Sequence, residues 1–188
     1  MTFKNLSMAL GLFFLLGCSS SEDMTVVESV ELEKYMGTWY DIAHFPKSFQ
    51  NGCSCISAEY AIESDSRVSV VNSCTEIDGN VRKAEGHAYI ADKETNAKLR
   101  VSFFWPFYGD YWIIDLAEDY SYALVGSPDR ESLWVLARER TLPEKTFESI
   151  LDTAQSRGFD ITRIELVSQG DCPEPPPVEE VDKELEEE

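Results

Sequence analysis

Positive charge is scarce in this sequence. Sixteen Lys and Arg stand against 35 Asp and Glu, a formal net charge of -19 over 188 residues. Such a surface repels phosphate backbones, which excludes nucleic-acid binding. It repels anionic membrane surfaces as well, so any membrane association needs another cause. Histidine is scarcer still, at two residues. Neither His44 nor His87 has an evident nucleophile and acid to complete a hydrolytic set. "CSC" (Cys53–Cys55) lacks the usual spacing of zinc ligands, so no metal is expected. Long hydrophobic runs are missing too: Leu6–Leu16 falls short of the ~20 apolar residues a membrane helix needs.

What is present begins at the N-terminus. Lys4 is the lone charge ahead of "MALGLFFLLG", which leads into Gly17 and Cys18. A basic start, a short apolar region and small residues at its end describe a secretory signal. "LLGCSS" resembles the lipobox of bacterial lipoproteins, with Leu15 three positions before the cysteine. Leu16 is bulkier than the motif's usual Ala or Ser. The resemblance implies cleavage before Cys18, diacylglycerol on its thiol and acylation of the new amine. Buried chains contribute about 0.8 kcal/mol per CH2, so two or three hold a protein on a bilayer despite its charge. Ser19 implies, in a Gram-negative cell, passage to the outer membrane. Residues 1–17 therefore read as signal and 18–29 as a polar, lipidated tether. Residues 173–188, "PEPPPVEEVDKELEEE", hold too little apolar surface to offset ordering entropy and read as a disordered acidic tail.

One domain of ordinary size remains, residues 30–172. Short strands alternate with turn signals at near-even spacing, such as "CISAEYAIE" then "SDSR", and "VSVVNSC" then "EIDGN". In "KLRVSFF", Leu99, Val101 and Phe103 alternate with Lys98, Arg100 and Ser102, one face dry and one wet. With "YMGTWYDIAHF" at the start there are eight such strands, which suggests an antiparallel up-and-down barrel without exposed edges. A single helix follows in "TLPEKTFESILDTAQSRGF". Thr141 is the expected N-cap, Pro143 lies in the first turn and Gly158 ends the helix. Its stripe of Phe147, Ile150, Leu151 and Ala154 is expected to lie on the barrel's outside. "ITRIELV" offers a short final strand.

Three stretches, in order, resemble the lipocalins. "GTWY" (Gly37–Tyr40) is similar to the Gly-x-Trp motif of the first strand. "EDYSYALV" (Glu118–Val125), with Tyr120, is similar to the second motif, although its usual Thr-Asp is absent. "LWVLARE" (Leu133–Glu139) is similar to the third and supplies Arg138. The resemblance spans about residues 32–172 and is strongest to the bacterial outer-membrane lipoprotein lipocalins and to apolipoprotein D. It implies an all-β fold: an eight-stranded lipocalin barrel, one C-terminal helix outside it and a short final strand. Gly37 would let the chain pass closely at the closed end, Trp39 would plug the base, and the Arg138 guanidinium would lie over the indole, a contact worth roughly 0.5–2 kcal/mol.

Counting by twos from these anchors puts Asp41, Ala43 and Phe45 on the Trp39 face, and Leu136 and Trp134 on the Arg138 face. His44 then faces outward, and His87 reads as an ordinary strand residue. The expected ligand-binding set is Phe45, Leu99, Val101, Phe103, Trp105 and Trp134. Asp41 needs partners or protonation in such a place; it is either an interior polar link or a ligand contact. "FFWPFYGDYW" (Phe103–Trp112) is rich in aromatics and is either a hairpin packed on itself or a lipid-receptive rim at the open end.

Setting Cys18 aside leaves Cys53, Cys55, Cys74 and Cys172, two disulfides in one of three connectivities. The resemblance to apolipoprotein D implies Cys55–Cys172, and that to bacterial lipocalins implies Cys53–Cys74. It further implies a lipid carrier, lipid-anchored at the periplasmic face of the outer membrane. Its ligand would be a fatty acid or a lysophospholipid, carried for envelope maintenance or stress response, with no cofactor and no enzyme activity. Two other readings stay open: a module for a haem- or sterol-like ligand, and a lipocalin-type isomerase, which would need a free thiol in the cavity. Oligomeric state is left open, a homodimer among the options.

Overall fold

In a computed structural model of the chain, residues 24–170 and Cys172 are described. The signal, Cys18 and the acidic tail lie outside the described residues. Among the described residues, nine strands form one sheet. They are β1 (Gly37–His44), β2 (Ser54–Ser64), β3 (Arg67–Thr75), β4 (Val81–Ile90), β5 (Lys98–Phe104), β6 (Phe107–Leu116), β7 (Tyr122–Gly126), β8 (Leu133–Ala137) and the short β9 (Glu165–Leu166). Strands β2 to β8 follow one another in order, and β1 pairs with both β8 and β2, which closes the barrel. Every pairing is antiparallel.

At its upper end β1 parts from β2, and β9 fills the gap by pairing with Ala43 and His44. The Val167 amide donates to Ile42 O at 2.9 Å, and the Cys55 amide donates to Ser168 O at 2.8 Å. These bonds satisfy backbone groups that the parting would otherwise orphan. The Cys55–Cys172 disulfide pins the same segment, and Cys53–Cys74 ties the approach to β2 onto β3.

The strands' burial follows from what covers each face. In β5, Leu99 is buried while Arg100 is exposed, a one-sided strand. In β7, Ala123, Leu124 and Val125 are all buried. Ala123 and Val125 belong to the barrel interior, and Leu124 belongs to an outer core with Ile150 and Ala154. Those last two come from helix α2 (Glu144–Ser156), so a covered outer face explains an unbroken apolar run. Phe159, just after the helix, lies on Gly126, where a Cβ would come within 2.5 Å of its ring.

Two boundaries differ from the sequence reading. Thr141 does not cap α2; the flanking residue is Pro143, whose carbonyl accepts from the amides of Thr146 and Phe147, both at 3.0 Å. A proline disfavours helical backbone in the residue before it, which keeps Leu142 out of the helix and leaves Thr141 too early to cap it. The packed body also begins ahead of residue 30. Met24 is buried in the outer core, and Val26 and Val27 lie against the barrel. "MTVV" supplies enough apolar surface to dock a stretch that its acidic neighbours made look like a tether.

Candidate ligand-binding cavity

The barrel is sealed at one end. A one-turn helix, α1 (Leu32–Tyr35), crosses it and sets the Tyr35 ring 4.9 Å from that of Trp39. Trp39 is fully buried and donates its indole N–H to Tyr35 O at 2.8 Å. The Arg138 guanidinium stacks 3.9 Å from the Trp39 ring centroid. It also donates to three carbonyls: Lys34 (2.6 Å), Met36 (2.8 Å) and Thr38 (2.8 Å). Arg138 thus knots α1 to β1 from beneath the floor. Gly37 has φ +89, a backbone region that L side chains rarely adopt, and a Cβ there would lie 3.5 Å from the Arg138 guanidinium. Tyr120 holds the same end from the β6–β7 turn: its hydroxyl accepts from the Glu31 amide at 2.9 Å.

Above the floor sit three tyrosines. The Tyr35 and Tyr111 hydroxyls are 2.8 Å apart, and Tyr60 donates to Tyr111 at 3.1 Å. Burial pushes the Tyr60 hydroxyl up to about 12, and raises Tyr35 and Tyr111 well above the ordinary phenol value. Each hydroxyl is satisfied by another, so a polar layer can underlie an apolar cup.

The cup itself has a volume of about 590 Å³. Its walls include Ile56, Ala58, Val70, Val101, Phe103, Trp134 and Leu136, with Tyr60 and Tyr111 below. At the mouth stand Lys47, Phe49 and Gln50 from the β1–β2 loop, Phe104 and Phe107 from the β5–β6 turn, and Ser127, Asp129 and Ser132 from the β7–β8 loop. A smaller cavity of about 270 Å³ shares the Phe49, Asn72 and Phe103 walls and adds Arg82.

The expected ligand-contact residues fall into two groups. Val101, Phe103 and Trp134 line the cup. Leu99 points inward but lies in the packed interior with Trp39, off the cavity wall. Trp105 is 79% exposed on the β5–β6 turn, also off the wall. Phe45 faces the opposite way, into the outer core with Leu133, Ile150 and Phe159. The cause is a bulge in β1. Asp41 pairs with Leu136 but Ala43 pairs with Val135, so Ile42 is an extra residue and the parity flips beyond it. Ala43 and Phe45 turn outward, and His44 turns in.

His44 is therefore buried, not outward-facing. Its Nδ1 lies 2.8 Å from Asp41 Oδ2, which also accepts from Gln50 Nε2 at 2.9 Å. Gln50 Oε1 in turn accepts from the Trp134 indole at 3.4 Å. Burial raises the Asp41 carboxyl above its ordinary value, against the hydrogen bonds from His44 and Gln50. Asp41 links β1 to the mouth loop through Gln50, and it also lines the cup, where its Oδ1 has no hydrogen-bond partner among the described residues, so both of its sequence readings have support here. Tyr60 was within reach of sequence reasoning, because Ile56, Ala58 and Tyr60 alternate along β2. Lys47 and Gln50 lie in a loop without periodicity, and nothing in the sequence marks them.

The Cys53–Cys74 and Cys55–Cys172 bonds are the pairings that the two resemblances imply, and they occupy all four cysteines of the barrel. The comparisons with known proteins agree with this architecture. A family model described as a lipocalin-like domain matches residues 30–169. The chain is 38% identical to the outer membrane lipoprotein Blc of Escherichia coli K12 over 161 residues, covering 84% of this chain and 91% of that protein. It is 37% identical to apolipoprotein D of Cavia porcellus over 158 residues, covering 79% and 82%. Among solved structures it is similar to insecticyanin from the tobacco hornworm Manduca sexta, with a TM-score of 0.62 at 24% identity, covering 78% of this chain and 84% of that one.

Proposed function

Since the chain belongs to the lipocalin family, we infer that it is a lipid-binding lipoprotein of the outer membrane, holding one small hydrophobic ligand in its barrel. The observation that carries this is the cup: about 590 Å³, apolar along its walls, sealed below by Trp39 and open at the other end. That volume falls within the roughly 300–1,000 Å³ of small-molecule sites. The Blc relatives named as outer membrane lipoproteins give the location, and Cys18 in "LLGCSS" is the residue that would carry the acyl anchor.

The ligand we propose is a fatty acid or a lysophospholipid, carried for envelope maintenance or stress response. Its tail would lie against Val101, Phe103 and Trp134, each buried CH2 contributing about 0.8 kcal/mol. Its head would stay at the mouth, where Lys47 stands, with Arg82 on the adjoining cavity. Carriage, not catalysis, is favoured because the cysteines that an isomerase of this family would use are engaged in disulfides. A haem-like ligand is disfavoured because neither histidine lines the cup; His44 is held by Asp41, and His87 Nδ1 lies 3.3 Å from Glu63.

Mass spectrometry of lipid extracted from the purified protein tests this reading, with the covalent anchor accounted for separately. Single-chain amphiphiles near one per barrel are expected. A pigment or a sterol in their place would overturn the ligand class.

A further inference from the structure

Two acceptor oxygens on the cup's wall lack donors. Asp41 is 3% exposed, and its Oδ2 is taken by His44 and Gln50, but its Oδ1 has no hydrogen-bond partner among the described residues. Asn72 Oδ1 is buried and unpartnered as well. Both residues line the cup. Strand parity puts them there. Trp39 and Asp41 share the inner face of β1 ahead of the bulge. On β3, Val68 and Val70 belong to the barrel interior, and Asn72 is the next residue on that face. Ala58 of β2 pairs with Trp39 on one side and with Asn72 on the other, so the two polar side chains stand on one wall with β2 between their strands.

That wall lies below the mouth. Asp41 is one step of the inner face above Trp39, the floor. Burial does most to raise the Tyr60 hydroxyl and the Asp41 charge adds to it, so the carboxyl stands close to the tyrosine layer. Lys47 stands higher, beyond the end of β1. A group that donates to these oxygens therefore belongs to the body of a ligand and not to a head held at the mouth. Scaffolding does not account for them. Oδ2 alone holds His44 and Gln50, and a third apolar side chain after Val68 and Val70 would pack the wall as well as Asn72 does. A buried acceptor without a donor costs free energy that a donating ligand recovers. A hydroxyl suits this place. It donates to Oδ1 of an ionised carboxyl and accepts from a protonated one, so it serves Asp41 in either state. A second carboxylate would be repelled by the ionised state. An ammonium would shed a hydration shell that these oxygens cannot replace.

We propose that Asp41 and Asn72 form a hydroxyl-binding subsite inside the cup, and that the preferred ligand is a single-chain amphiphile hydroxylated along its chain. This rests on the reading of the cup as an acyl site. Strands β1 and β3 are two spacings apart, about 10 Å, so one hydroxyl engages one of the two oxygens. The bond would hold the chain at a fixed depth, which an apolar wall alone does not do. The two kinds of wall predict opposite orders of affinity. Against purely apolar walls a hydroxylated chain must shed water for nothing and binds more weakly than its plain counterpart. Against the subsite it binds more tightly.

Competition for the cup tests this. Delipidated full-chain protein is loaded with a fluorescent fatty acid, which is displaced by stearic, 3-hydroxystearic or 12-hydroxystearic acid. The native protein should bind the 12-hydroxy chain about tenfold more tightly than the plain one, the worth of a hydrogen bond to a charged acceptor. The 3-hydroxy chain, whose hydroxyl stays beside the head, should not gain in this way. The ratio of 12-hydroxy to plain affinity should fall towards one in Asp41→Leu, in Asn72→Leu, or in both. Asn72→Leu leaves the links from Asp41 to His44 and Gln50 in place, so it decides the matter if Asp41→Leu fails to fold. Equal or weaker binding of the 12-hydroxy chain by native protein would overturn the subsite, as would a preference that survives in every folded variant, or one shared by the 3-hydroxy chain. Failure of all three acids to displace the probe would count against the acyl cup itself, and the subsite falls with it.

Discussion

Replacing Phe45 by Ala separates the barrel's two cores. Phe45 is fully buried between β1 and the segment around α2, with the Phe159 ring 6.1 Å away and the Arg163 guanidinium 4.6 Å from its centroid. It has no contact with the cup. Truncating a buried Phe costs about 3–5 kcal/mol, from lost burial and the cavity left behind. At a urea slope near ~2 kcal/mol per M, the unfolding midpoint should fall by about 2 M. Acyl affinity, titrated on the folded variant without urea, should stay within about two-fold. Simple counting by twos along β1 predicts the reverse. A Phe45 lining the cup would cost affinity about tenfold, or ~1.4 kcal/mol, with less effect on folding. A large affinity loss with an unchanged urea midpoint would refute the bulge at Ile42.

Arg138→Met should destabilise by about 2–4 kcal/mol, read by thermal unfolding, because it strands three carbonyls and uncovers the Trp39 ring; Arg138→Lys should recover only part, lacking the planar fork. Alkaline unfolding should carry a tyrosine signature. Folding holds the Tyr60 hydroxyl up to about 12, so its stabilising share is complete below the unfolded value near 10 and is lost as pH rises through 12. That is roughly 2–3 kcal/mol at the upper end of the window, and Tyr60→Phe should flatten the pH dependence of the urea midpoint there. Cys172→Ser opens a bond between residues 117 apart and should cost about 4–5 kcal/mol in the chain-entropy picture, measured by urea unfolding at fixed redox conditions.

The barrel was legible in the sequence because alternation along β5 and the three motif stretches specify strand order without any long-range information. The floor was legible too, since Gly37, Trp39 and Arg138 are motif residues whose types state their roles. The cup was legible only in part. Val101, Phe103 and Trp134 follow from parity, but Phe45 and His44 do not, because one extra residue in β1 leaves no trace in composition. Bulges are set by what a strand must pair with, here β8 on one side and β9 on the other. The mouth was illegible at Lys47 and Gln50: Gln50 is placed by the Asp41–His44 pair that the bulge creates, and Lys47 by the Glu131 carbonyl of a distant loop. The docking of Met24 was hidden by acidic neighbours, which made a packed stretch look solvated.

The central claim is that the cup, and not the outer surface, holds an acyl chain. Delipidated protein titrated with a fluorescent fatty acid and with a lysophospholipid competitor tests it, when compared with Val101→Trp, which fills the cup from β5. Saturation near one ligand per barrel in the native protein, with affinity lowered at least tenfold in Val101→Trp, is the predicted result. No saturable binding, or equal binding in both proteins, would contradict the account.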